Sequence, residues 1–294
     1  MFPIKAYSIQ TTKLPTTQQP AKSLTMIDLG QPVPEPYTVL GKVMAYKRGG
    51  LGATRELDYV STPPADMVKA LKAPAIALGA DAVIGIYHGE YRGVGSAGEY
   101  VSGLAVTHTD MRAGTRTGHS DLRVGILPVQ TGKSTIDADD YAEIDRDFRV
   151  GARWMLENKG YYAPVDTRVK FKGNVADLQA MSANELDQLY GADTELLLVL
   201  ELLDEQAAVP VLVEQRTVKL KATLFSKSLK QIIWENTVEK EQVTGVFWMW
   251  MATSMARASA IESVLEPMPF FMRAGNKEFT RYQPDMIKKM VPEK

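Results

Sequence analysis

The chain has 294 residues, 45% of them hydrophobic and 23% charged, a length beyond one typical core that predicts two domains. Its 34 Lys and Arg against 35 Asp and Glu leave a formal net charge of -1, which gives no field to draw in nucleic acid or acidic lipid. With no cysteine, disulfide frameworks, thiolate zinc sites, iron–sulfur centres and cysteine nucleophiles are excluded, while the redox compartment stays open.

The first ten residues, MFPIKAYSIQ, lack the basic-then-apolar pattern of a signal peptide, and no run approaches the ~18 apolar residues of a membrane span. A chain beginning at Met1 is therefore expected to be soluble and cytoplasmic, and periplasmic or outer-membrane-associated if a leader has been removed. Residues 11–36 are rich in Thr, Gln and Pro with little periodicity, so residues 1–36 are expected to form an extended arm or tether. From Tyr37 the pattern becomes structured. YTVLGKVMAY predicts a strand, a Gly-rich loop follows through Arg55, and residues 65–78 carry apolar positions at helical spacing. Pro74 should kink or break that helix, and Gly79 should stop it. Residues 82–87 and 100–107 predict two more strands. Between them, Gly93, Gly95 and Gly98 spell a dinucleotide-type glycine pattern, but it leads into a strand instead of opening a helix, so a hairpin connection is expected.

A polar stretch at 108–119 is the expected boundary. Beyond it, residues 122–129 predict a buried strand and 139–158 a helix with Tyr141, Ile144, Phe148 and Met155 on one stripe. The acids Asp137, Asp139 and Asp140 crowd its first turn, where the helix dipole favours them; they lack the Gly and bidentate Glu of a calcium loop. TyrTyrAlaProVal predicts a short strand. Ser182 should cap a helix that Gly191 closes, and an apolar strand follows over GluLeuLeuLeuValLeuGluLeuLeu. Residues 210–224 and 230–239 alternate as a hairpin turning at SerLysSer, and a final helix is expected over 244–265. Leu-Gly-Ala-Asp at 78–81 and Tyr-Gly-Ala-Asp at 190–193 predict two similar joints, Gly taking the left-handed cap and Asp bonding the turn.

Gly132, Lys133 and Ser134 imitate the end of a phosphate loop, with Asp204 as the matching magnesium-binding acid. Such a loop needs Gly at its first position to wrap amide groups around phosphate, and here that position is Leu127, inside a strand. Nucleotide hydrolysis is thus the alternative to a solvated turn. The three histidines, His88, His108 and His119, do not pair at metal-ligand spacing. They are expected at the surface or at strand ends, with His88 as the residue a small-ligand or metal-binding module would use. No metal, cofactor or catalytic set is expected. Phe247, Trp248, Met249, Trp250 and Met251 are apolar around more than one helical face. They pack inside the second domain or meet a subunit or membrane surface, because Trp and Met are enriched at interfaces.

Residues 38–43, 77–86 and 101–107 (TVLGKV, ALGADAVIGI, VSGLAVT) resemble the YbjQ-like family and its structural cousin, the envelope stress lipoprotein RcsF. That resemblance implies a small α/β domain that assembles into homo-oligomeric rings. VGILPV (124–129), KGYYAP (159–164), ANELDQLYGAD (183–193) and IIWE (232–235) occur in the order of bacterial lipoproteins that share the TolB N-terminal and CsgG-like fold. Together these imply an α/β (α+β) fold of two small domains, each a mixed sheet packed with helices, at 37–110 and 120–270, with a tail at 271–294. The implied function is a non-enzymatic, homo-oligomeric component of a bacterial cell-envelope assembly, with other envelope proteins as further partners and no nucleic acid.

Overall fold

Strand β3 (Thr38–Gly49) is apolar on both faces, with Val39 and Met44 toward one layer and Leu40, Val43 and Ala45 toward the other, the parity switching at a register shift between Val39 and Gly41. A strand of that kind belongs in the interior of a sheet covered on both sides. The structure, a computed structural model, describes residues 4–10, 23–49, 62–93, 96–108, 120–132, 137–191, 193–208, 213–245 and 252–268. In it β3 lies between β1 (Lys5–Gln10) and β5 (Ser96–Thr107), and the sheet continues through β4 (Ala82–Gly93) to β2 (Thr25–Asp28), giving the order β1-β3-β5-β4-β2. All pairings are antiparallel except β2 with β4.

One expectation is corrected here. Lys5–Gln10 and Thr25–Asp28, read as parts of a tether, are the two edge strands of this sheet. Main-chain hydrogen bonds and the burial of Ile9 hold them, and an edge strand needs little of the alternation that makes central strands legible. The helix of 65–78 is two pieces, α1 (Ala65–Ala70) and α2 (Lys72–Ala77), as Pro74 requires; it sits third in α2, where the missing N–H costs no helical bond. Gly79 stops α2 at φ +82°. β4 and β5 form the hairpin expected of the glycine pattern, with Gly93 opposite Ser96.

The second sheet is ordered β10-β9-β8-β6, from β10 (Gln231–Gly245), β9 (Val213–Ser226), β8 (Thr194–Ala208) and β6 (Ser120–Ile126), with β7 (Gln130–Thr131) also along β8. β6 and β7 run parallel to β8, and the others are antiparallel. The hairpin turns after Ser226, as expected. TyrTyrAlaProVal is not a strand: a single bridge from Tyr162 to Arg123 is its whole pairing. The last helix, α6 (Ala252–Leu265), does not reach back to 244, because Thr244 and Gly245 are still on the ladder with Glu214 and Val213.

Helix α3 (Ala138–Asn158) begins at Asp137, whose carboxylate accepts from the amides of Asp139 and Asp140. α4 (Val175–Ala180), which has no counterpart among the expected elements, and α5 (Ala183–Leu189) each start with a capping box, Asn174 with Asp177 and Ser182 with Glu185. The layers then read α1/α2, first sheet, α3/α6, second sheet, α4/α5. Leu196, Leu198, Leu200 and Leu202 face the central layer, Leu197 and Val199 face α4/α5, and this explains the unbroken apolar run. One core passes through both sheets: Met44, Tyr87 and Leu104 of the first pack in the same cluster as Phe148, Leu198, Leu220 and Ile261.

Candidate functional site

The centre of that shared layer is charged. On α3, Arg149, Arg153 and Glu157 recur every fourth residue and are 2%, 0% and 0% exposed; Arg153 and Glu157 face the first sheet, while Arg149 donates to the carbonyls of Ile126 and Asp166 on the side of the second. Glu157 pairs with Lys42 of β3, also 0% exposed. Lys42 Nζ donates further to the carbonyls of Glu157 at 2.7 Å and Tyr161 at 2.6 Å, which uses the three hydrogens of an ammonium group. Around the carboxylate, the Tyr87 hydroxyl and the Ala163 amide, the latter at 2.7 Å, donate to Oε1, and Ser102 Oγ donates to Oε2 at 2.7 Å. The Arg153 guanidinium lies 5.9 Å from the ring centres of both Tyr87 and Tyr100. Burial, then the negative charge of Glu157, pushes the Tyr87 hydroxyl well above its ordinary value, which keeps it a donor. A buried pair satisfied this completely fixes how α3 sits on the sheet. Neither Lys42 nor Glu157 lines either of the two clefts described next.

Two clefts flank this centre. The larger, about 460 Å³, lies by the first turns of α3 and α6 and is lined by Asp140, Glu143, Asp204, Glu205, Arg216 and Arg257, among others. Arg257 Nη1 contacts Glu143 at 3.0 Å and Asp147 at 2.9 Å, and its Nη2 contacts Glu205 at 3.3 Å. Burial raises the Asp147 carboxyl, against the lowering pull of Arg257. Arg257→Ala should therefore destabilise the fold by about 2–3 kcal/mol at neutral pH. With the guanidinium gone, the buried Asp147 carboxylate takes up a proton more readily, so urea titrations should show a smaller deficit in mild acid. The smaller cleft, about 210 Å³, sits at the seam of the two sheets between residues 28–37 and Arg123, Tyr162 and Tyr190. There the Tyr162 hydroxyl donates to the Gly85 carbonyl at 2.7 Å, and Arg123 pairs with Asp193.

The residues singled out in the sequence fall as follows. Gly132 follows β7, exposed, its amide 3.4 Å from the Leu202 carbonyl, and Lys133 and Ser134 lie outside the described residues. Asp204 is half-buried on β8 and accepts from Gln206 Nε2 at 2.5 Å. Thr131 and Asp204 do share the larger cleft, but its four carboxylates against two guanidiniums oppose a nucleotide's phosphates. His88 is buried on β4, its Nε2 3.2 Å from Glu99 Oε2, and desolvation lowers its proton affinity despite that carboxylate. His108 follows β5 directly, a strand-end position as expected; His119 lies outside the described residues. Among the described residues no three His, Asp or Glu side chains gather to hold a metal ion, and no helix is long and apolar enough to cross a membrane, which says nothing of a β-barrel. Phe247, Trp248, Met249, Trp250 and Met251 lie outside the described residues. The Lys42–Glu157 centre has no counterpart among the expected sites. Its signal was a lone Lys in an apolar strand and three charges spaced four apart on a helix.

No family model matches the chain, and no curated protein matches it. Among solved structures it is similar to a lipoprotein of Neisseria meningitidis at 16% identity, over 45% of this chain and 92% of that one, with a TM-score of 0.31. A hypothetical protein of Chlamydia trachomatis is similar at 14% identity over 50% and 92%, TM-score 0.34. The PelC dodecamer of Paraburkholderia phytofirmans is similar at 14% identity over 54% and 96%, TM-score 0.35.

Proposed function

We propose that this chain is a non-enzymatic structural component of a bacterial cell-envelope assembly and works as a homo-oligomer. The observation that carries this reading is β10. It is 15 residues long, and among the described residues β9 is its sole partner strand, so about 50 Å of ladder faces outward as a template for another chain. The Trp/Met segment of 247–251 follows β10 directly in sequence, and we assign it to the same contact, between subunits or with a membrane surface. The central core shared by the two sheets and tied by Lys42 and Glu157 supports a rigid building block. The order of motifs resembling the YbjQ-like and TolB/CsgG-like families supports an envelope setting, with the chain on the periplasmic side.

Light scattering on the eluting protein tests the reading. At micromolar concentration the mass should be a multiple of 32.5 kDa, and Trp248→Ala with Trp250→Ala should lower it toward one subunit. A strict monomer for the unmodified chain would sink the proposal.

A further inference from the structure

We propose that His108 is a proton-operated clasp on the strap formed by residues 29–37, the segment that connects β2 to β3 and walls the seam cleft. His108 Nδ1 lies 2.7 Å from Asp81 Oδ1, and Nε2 lies 3.1 Å from the Pro34 carbonyl in the strap. Both partners are acceptors. An imidazolium donates to both at once, whereas a neutral ring carries one N–H and turns a lone pair toward the other oxygen. The protonated ring therefore holds the strap at two points and the neutral ring at one.

The surroundings fit a clasp that solvent protons can reach. The His108 and Asp81 side chains are 30% and 19% exposed. Asp81 is anchored independently of the ring, accepting the His108 amide at 2.7 Å and Thr107 Oγ1 at 3.2 Å through Oδ2, so it stays in place when the ring loses its proton. Among the described residues, the titratable groups facing the ring are Asp81, at the α2–β4 joint, and Tyr37 of the strap, whose ring meets it edge-on at 6.4 Å; Glu35 is next to Pro34 in the strap. The equivalent Asp of the other Gly-Ala-Asp joint, Asp193, pairs instead with Arg123, a cation that keeps its charge. One joint is thus permanently fastened, and the other is fastened by a proton. Leu29, Gly30, Gln31, Val33 and Tyr37 line the seam cleft, so release of the strap widens that cleft.

Hydrogen–deuterium exchange on the full chain, corrected for intrinsic rates, tests this. The amides of Val33, Glu35 and Tyr37 should exchange about tenfold faster at about pH 8 than at about pH 5, the factor one charge-assisted hydrogen bond supplies, while β5 amides stay unchanged. His108→Asn has no second nitrogen for Pro34 and should abolish the pH dependence, leaving the faster rate throughout. Equal strap exchange at both pH values overturns the proposal, as does a tenfold difference that persists in His108→Asn. Should that variant not fold, nitrogen NMR of His108 in the unmodified chain decides. Ring protonation must track strap exchange, and a ring that titrates without any change in the strap overturns the clasp.

Discussion

Lys42→Met should cost about 3–5 kcal/mol of stability in urea titrations. The substitution keeps the size and stem of the side chain but leaves the Glu157 carboxylate inside a layer where neither residue has any solvent exposure. Glu157→Gln should cost a similar amount by stranding the ammonium. The double substitution should recover part of the loss, because a glutamine oxygen still accepts from the Ala163 amide and its nitrogen can donate to Ser102, while no charge is left unpaired. Since the pair joins β3 to α3, the singles should also lower the denaturant slope, as the first sheet begins to unfold apart from the rest. Single variants within about 1 kcal/mol of the unmodified chain would show that the pair does not hold the two sheets together.

Gly85→Ala should cost about 3 kcal/mol. Two independent penalties meet at this residue. Its backbone is left-handed at φ +63°, which an alanine adopts poorly, and an added Cβ would run into the Tyr162 hydroxyl that bonds the Gly85 carbonyl. The two can be separated, because Tyr162→Phe removes the oxygen. In that background the alanine should cost about 1–2 kcal/mol, the backbone share plus a residual close contact with the ring carbon that carried the hydroxyl. Thermal melts of the four proteins check this, and equal alanine costs with and without the hydroxyl would mean that the side-chain contact contributes nothing.

What could be read from the residues follows from how local its cause is. The Ser182 cap, the break around Pro74, the turn after Ser226 and the two-faced apolar strand from Leu196 to Leu202 are each written within a few residues, and each is found in the structure. The edge strands β1 and β2 were legible only as an unpatterned arm, since an edge strand is specified by the neighbour that pairs with it. The pairing of Lys42 with Glu157 spans 115 positions, and no spacing rule reaches that far. Its local trace is Arg153 and Glu157, four apart on α3 and both without solvent exposure, a spacing that names no partner. The phosphate-loop imitation at Gly132 to Ser134 is already discounted by the sequence, because Leu127 stands where such a loop needs Gly, and Leu127 is fully buried against α4 and α5.

The same separation of 115 residues has a consequence for biosynthesis. When the first sheet has left the ribosome, its inner face carries Met44, Tyr87, Leu104 and an uncompensated Lys42, and the helix that covers them has not yet been translated. At ordinary elongation rates Glu157 arrives roughly 6–23 s after Lys42. From the completion of that sheet at Thr107 to Glu157, roughly 2.5–10 s at the same rates, the nascent chain displays a sticky apolar surface with a cation at its centre, a natural target for a holdase, and Glu157 is the residue whose emergence ends the exposure.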